Sequence, residues 1–413
     1  MPTQRRPRAI GRALAVSGLA VLSGCLAGVS SYAFLELLDR VTRLRLQHPW
    51  LLWTLPVVGS TIGLVYQRFG GRAADGTGLV VREARALRLG VPLRMAPLIL
   101  GGTLLGHLAG ASVGREGTAL QLSASLTDGA AQRVGLDQGI RQVLLPVAIA
   151  GGFGAVFGVP VAGVVFAVTV AATFTPLVVA ACVIAAFVGD RVVGWLGHDH
   201  VSWPQVAEVH WSAGLGLRLA ALGVVCGGCA RLFVLATELV RRRVTALTDR
   251  GWLRPAIGGF ATLGLAALVG RDFLGLSLPL IGDAFAQTDT SWATPALKLV
   301  FTAVALGTGF VGGEVTPLFV VGATAGAAVA GVDGGADAAT VLLVACGFVT
   351  VFACAASASM AGVVMAIELF GWNVTVPALV VVAVARVVAG RPGLYVRRRE
   401  IASRPVGAPS PNR

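Results

Sequence analysis

The sequence predicts an all-α polytopic membrane protein on three observations: a mean hydropathy of +0.80, long runs without charge, and a unit that recurs half a chain apart. Of 413 residues, 55% are hydrophobic and only 13% are charged. Soluble domains carry about a quarter charged residues, so a soluble globular protein is excluded first. No charge falls between Arg12 and Glu36, and 142–189 runs 48 residues without one. A helix needs about 20 apolar residues to cross the hydrocarbon core, so the second run alone holds about two passes. Further uncharged runs separate Asp337 from Glu368 and Glu368 from Arg386. Roughly ten or more helical segments are expected, many broken by Gly or Pro.

A net charge of +13 would point to nucleic acid in a soluble protein. Here the arginines flank apolar runs, which is the positive-inside pattern, and no nucleic-acid partner is expected. Arg5, Arg6, Arg8 and Arg12 precede the first run. Arg241, Arg242, Arg243, Arg250 and Arg254 fill what reads as a short loop, and Arg397, Arg398 and Arg399 follow the last run. These segments are assigned to the cytoplasm, so both termini are cytoplasmic and the chain lies multi-pass in the plasma (inner) membrane. The segment Trp195–Trp211 holds His198, Asp199, His200, Glu208 and His210 but no Lys or Arg, and is assigned outside. The first apolar run is too long for a signal peptide and is followed by more of its kind, so it stays in the mature chain. All six cysteines lie in apolar runs. Cys226-Gly-Gly-Cys229 has redox or metal spacing, but in a membrane helix without a second ligand pair it reads as small-residue packing, and no metal or cofactor is assigned.

The duplication is visible in two places. Gly114-Arg-Glu116-Gly-Thr118-Ala-Leu120 and Gly312-Gly-Glu314-Val-Thr316-Pro-Leu318 share G-x-E-x-T-x-L at an offset of 198. Val161–Val170 matches Met360–Leu369 at an offset of 199. Two matches in one order at nearly one offset define a repeated unit of about half the chain. Transporter repeats are commonly inverted, with the substrate site where broken helices meet near the midplane. The basic N-terminus and the arginine-free segment near 195–211 suit inversion, the first half starting inside and the second outside. The expected organisation is a basic segment 1–12, a transmembrane domain 13–395 with repeats at about 13–195 and 212–395, and a basic tail 396–413 without a regulatory domain.

Three carboxylates sit in apolar, glycine-rich surroundings: Glu116, Glu314 and Glu368. A carboxylate at membrane depth is costly and marks function unless it is paired or capped. Glu368, inside a helical run, is expected to bond nearby backbone. Glu314, at a helix start, is explained by capping the first turn. Glu116 differs, because its glycine neighbours leave backbone open and an apolar helix follows at once. Its carboxylate is expected at a helix N-terminus, where unpaired N–H groups and about half a positive charge suit an anion. Carboxylate and anion would compete for that place, which links proton binding to anion binding.

These motifs together resemble the CLC family of anion channels and transporters, from about residue 15 to Tyr395. Gly114-Arg115-Glu116-Gly117 looks like its gating-glutamate motif, Gly307–Pro317 like its second anion-binding helix start, and Ala361–Phe370 like its A-G-I-V-x-A-I-E-x segment. Gly390–Tyr395 looks like the ending that supplies an inner-gate tyrosine, and Gly76-Thr77-Gly78 stands where the family usually has G-S-G. The resemblance implies a CLC-type fold of two inverted repeats with broken and re-entrant helices. It makes Glu116 the outer gate, Thr77 and Tyr395 the inner constriction, and the Gly313–Pro317 turn a backbone anion site. Gly76, Gly78, Arg115, Gly117, Thr118, Gly313, Val315 and Thr316 complete the anion-binding set. Thr77 read alone is equally a helix cap, and Tyr395 an interfacial aromatic. Val315 replaces the family's usual aromatic side chain. Thr169 and Val170 stand where chloride–proton exchangers carry an internal glutamate, which disfavours the usual bacterial chloride exchanger. That absence and Thr118 in place of proline resemble the fluoride–proton branch. The implied partners are fluoride or chloride, protons, membrane lipid and a second copy of the chain. The implied function is proton-coupled fluoride export, the alternative a chloride channel or chloride–proton exchanger; neither is an enzyme.

Two other classes are weaker. Gly307-Thr-Gly309-Phe-Val-Gly312 fits G-x-G-x-x-G with Asp333 beyond it, but no alternating βαβ pattern surrounds it. The chain shows no H-E-x-x-H and no G-x-S-x-G of a hydrolase. The His198-Asp-His200 cluster reads as a solvated loop rather than a metal site.

Overall fold

In the computed structural model, which describes residues 5–331, 337–390 and 393, the chain is a stack of α-helices, with no strand among the described residues. The first repeat runs α1 Arg5–Gln47, α2 Leu55–Val65, α3 Gly76–Arg85, α4 Met95–Ala109, α5 Glu116–Arg133, α6 Gln138–Phe157, α7 Pro160–Ala171 and α8 Pro176–Trp195. The second runs α9 Ala213–Leu247, α10 Leu253–Val269, α11 Pro279–Ala286, α12 Ala293–Thr308, α13 Val315–Ala330, α14 Ala338–Ala355, α15 Ser359–Phe370 and α16 Thr375–Ala389. Among the described residues, seven segments are long and apolar enough to span a bilayer. Helices such as α3, α7 and α15, of 10, 12 and 12 residues, fall short of the ~20 needed. A helix end that stops at depth is tolerated only where protein satisfies its backbone. Glu368 meets that need across the repeats: its carboxylate on α15 accepts the Val161 and Ala162 N–H groups of α7 at 2.9 and 2.7 Å. Glu368 does bond backbone, but 207 and 206 residues away in sequence rather than nearby as expected.

The 35 residues of α9 span about 52 Å, so its ends mark opposite faces. One face carries the 196–212 loop; the other carries Arg241, Arg242, Arg243, Arg250 and Arg254. The first three of these arginines are not in a loop as expected: they continue α9, where Glu238 pairs with Arg241 and Arg242 at 2.6 and 2.7 Å. Intrahelical spacing of three and four residues brings those charges together.

Each repeat closes its first helix on its last, α1 on α8 and α9 on α16. Gly223 and Gly227 of α9 lie directly against Val384 and Ala385 of α16, so the segment around Cys226 and Cys229 is indeed a small-residue packing face. The same device joins α13 to α14: a side chain at Gly322 would start 2.0 Å from the Gly347 carbonyl oxygen. Backbone cannot yield as a flexible side chain does. Gly322→Val is therefore expected to destabilise the fold by at least the ~1–3 kcal/mol of an overpacked core, read as a lower melting temperature in detergent. An unchanged melting temperature would contradict this contact.

The centre is aromatic. Phe153 of α6 stacks on Phe166 of α7 at 4.6 Å, and Phe319 of α13 on Phe348 of α14 at 4.3 Å. Phe157 and Phe319 join the pairs across the repeat boundary at 5.3 Å. This seam lies beside the start of α13.

Candidate functional site

Glu116 is the first residue of α5 and is 1% exposed. Its side chain does not cap its own helix. It crosses to the second repeat, where the Thr316 N–H donates to Oε2 at 3.0 Å and the Thr316 hydroxyl donates to Oε1. The Arg115 N–H donates to Oε2 and its Nε–H to Oε1, both at 3.2 Å. Thr316 stands in the first turn of α13, whose opening N–H groups have no partner within the helix. The carboxylate therefore occupies the place a free anion would take at a helix N-terminus, beside its partial positive charge.

What brings the two helix starts together is backbone pairing. Gly114 and Gly313 form an antiparallel bridge: the Gly114 N–H donates to the Gly313 carbonyl at 2.5 Å, and the Gly313 N–H to the Gly114 carbonyl at 2.7 Å. No side chain fits there, since one at Gly313 would start 2.6 Å from the Gly117 nitrogen. One at Gly117 would start 2.9 Å from the Gly313 Cα and 3.4 Å from the Thr77 hydroxyl. The starts of α3, α5 and α13 thus converge. Gly76 opens α3 at φ +55, a left-handed conformation that favours glycine. The Thr77 hydroxyl accepts from the Gln121 amide at 3.1 Å. Thr77 lies inside α3, whose cap position is Asp75, so the helix-cap alternative for Thr77 is set aside. Gly78 follows in the same turn. Val315 is the first residue of α13 and is buried.

Two expected residues sit elsewhere. The Thr118 hydroxyl points away from Glu116 and shares a hydrogen bond of 2.8 Å with Thr103 of α4. Glu314 occupies the cap position of α13 but makes no capping hydrogen bond, so the capping explanation fails; that end of α13 receives Glu116 instead. Tyr395 lies outside the described residues, as do Asp333 and the arginines 397–399.

The loop before α5 is held from behind by a buried lysine. Lys298 of α12 donates to Ser112 Oγ at 2.9 Å, to the Phe273 and Gly275 carbonyls at 3.2 and 2.8 Å, and to Ser277 Oγ at 2.9 Å. Ser112 and Thr302 share a further bond of 3.1 Å. A buried amino group is tolerable only with such a set of oxygens. Lys298 escaped the sequence reading, because a lone Lys at the edge of an apolar run gives no sign that it turns inward. Gln121 and Thr103 were missed for the same reason.

Above Glu116, beneath the 196–212 loop, a cavity is lined by Arg115, Thr316, Phe157, Phe319, His200 and Trp203 among others. The expectation of a solvated loop at His198-Asp-His200 is corrected for His200. Its ring fills the space left by Gly158, where a side chain would start 2.6 Å from it.

This geometry has counterparts. A family profile described as "Voltage gated chloride channel" matches residues 58–390. A "Chloride/fluoride channel protein" of Pseudomonas syringae pv. tomato is 39% identical over 402 residues, covering 94% of this chain and 87% of that protein. An H(+)/Cl(-) exchange transporter of Cronobacter sakazakii is 27% identical over 352 residues, covering 75% and 71%. The crystal structure of a CLC-type fluoride/proton antiporter superposes with a TM-score of 0.86 at 29% identity, covering 92% of this chain and 97% of that one. A profile match over most of the chain and a relative 39% identical over nearly its whole length, joined to helix starts that meet at Glu116, mean that the chain belongs to the voltage-gated chloride channel (CLC) family of anion transporters.

Proposed function

We propose that the protein is a proton-coupled fluoride exporter, a fluoride–proton antiporter in which Glu116 is both gate and proton carrier. The observation that supports it best is the docking of the Glu116 carboxylate on the first turn of α13. A carboxylate there excludes a second anion by like charge. Once protonated it loses its charge and its claim on the α13 N–H group, and an anion takes its place. Anion and proton then exchange rather than leak. Thr169 and Val170 leave no titratable side chain at the position where chloride exchangers carry an internal glutamate, which favours the fluoride branch. The relatives named for fluoride, one channel and one antiporter, point to the same ion.

Fluoride is small and strongly hydrated, so its site must replace water with short, strong donors. Helix N–H groups at α3 and α13 and the Thr77 hydroxyl supply them in this account. The arginine-bearing end of α9 is the cytoplasmic side, and the 196–212 loop lies outside. Two copies assemble, each with its own pathway. Under acid conditions HF diffuses inward and ionises, and inward protons drive fluoride out.

The test is efflux from proteoliposomes loaded with fluoride or chloride, each followed by its selective electrode. Fluoride is expected to leave faster, and a chloride rate above that of fluoride would overturn the assignment. Thr77→Val keeps the side-chain shape without the donor. A charge-assisted hydrogen bond is worth about 1.5–3 kcal/mol, so the fluoride-to-chloride rate ratio is expected to fall about tenfold. An unchanged ratio would remove Thr77 from the pathway.

A further inference from the structure

The cavity beneath the 196–212 loop reaches Arg115 and Thr316, the two residues that hold the Glu116 carboxylate. Most of its wall is apolar, formed by Phe157, Phe319, Phe348, Trp203 and Ile281 with their neighbours. Only two titratable side chains line it, Arg115 and His200. Arg115 stays protonated at all working pH values and cannot pass a proton on. We propose that His200 is the proton carrier between bulk water on that face and Glu116, an assignment that rests on the antiport reading above.

Several observations support this. His200 shares the cavity with Arg115 and Thr316, the two residues whose groups hold the Glu116 carboxylate. Its ring lies against Gly158 at the C-terminal end of α6, and its side chain lines the cavity and is 23% exposed, with Nε2 buried. Its Nε2 lies 3.5 Å from Asp190 Oδ1 near the end of α8. The other charged groups around the mouth do different work. Both oxygens of Glu368 on α15 are taken by N–H groups of α7. Burial pushes the neighbouring His198, which faces Glu36 and Asp39 of α1, below its ordinary range. Asp199 belongs to the loop itself. An ordinary imidazole changes charge near pH 6.5, where carboxylates rarely hold a proton.

The step balances simply. The His200 imidazolium N–H bond breaks, an O–H bond forms on Glu116, and neutral His200 takes its next proton from water. Neutral Glu116 releases the α13 site to the anion. Arg115 keeps its charge throughout and favours the arriving anion.

The experiment uses the full chain in proteoliposomes, with an outward fluoride gradient and proton uptake recorded from about pH 5 to about pH 8 outside. His200→Phe keeps a ring against Gly158 without a titratable nitrogen; His200→Gln is a second variant should the first misfold. Proton uptake near neutral pH is expected to fall at least tenfold, general acid–base groups being worth on the order of 100-fold or more. Its dependence on external pH should flatten, and added imidazole should restore it. Wild-type rate and profile in either His200 variant overturn the carrier. An unaltered protein that moves no protons overturns the carrier together with the antiport reading, which distinguishes the two failures.

Discussion

Glu116→Gln is expected to release anions without moving protons. The substitution nearly preserves size, and the amide oxygen can still accept the Thr316 N–H that now meets Oε2 at 3.0 Å. What is lost is the charge and the titration. Glu116 is 1% exposed and sits where α13 offers its unpaired N–H groups. As a carboxylate it competes with an anion for that place; as an amide it cannot switch. Coupled proton flux should fall to background, a loss of at least about 100-fold for a residue acting in proton transfer. Anion flux should persist, now independent of external pH. A fluoride electrode and a pH electrode in one cell read both quantities. Full coupling in the variant would remove Glu116 from the mechanism.

The second large effect is expected at a residue with no side chain. In Gly313→Ala the new Cβ would start 2.6 Å from the Gly117 nitrogen and 3.2 Å from the Glu116 nitrogen. Both are backbone atoms of the opening turn of α5, so the paired helix starts must separate. Displacing positioned groups by about 1 Å can cost on the order of 100-fold in rate, and fluoride flux should fall by about that much. Gly101→Ala in α4 is the control, because a Cβ there meets nothing within 4 Å. That variant should keep its flux. Equal activity in the two variants would show that the Gly114–Gly313 bridge does not position the site.

The membrane character and the duplication were legible because both are patterns of residue type along the chain. The uncharged stretch 142–189 gave α6, α7 and most of α8. The shared G-x-E-x-T-x-L motif marked two helix starts. It did not say how they would meet, and there the two copies part company. Glu116 is held by Thr316 across the repeats, whereas Thr118, the counterpart of Thr316, bonds Thr103 within its own repeat. One motif thus gives two different electrostatic environments, decided by contacts with α4 that no local pattern encodes. Glu314 was read as a cap because its position is a cap position, but the α13 N–H group at Thr316 goes to Glu116. Lys298 was passed over and His200 was read as part of a solvated loop because burial and cavity lining depend on which distant helices pack against them. Arg241–Arg243 were read as loop because charge ends an apolar run. The helix continues past that point to Leu247.

The central claim, that occupation of one site by Glu116 links an anion to a proton, is tested most directly by driving protons with fluoride alone. Proteoliposomes carrying the unaltered protein are loaded with fluoride and placed in fluoride-free solution at equal pH on both sides, with external pH and fluoride recorded together. The account predicts that the external solution turns alkaline as fluoride leaves, protons entering against the gradient they create, and that chloride in place of fluoride gives slower release. Rapid anion release with no change in external pH would contradict the account and leave a channel.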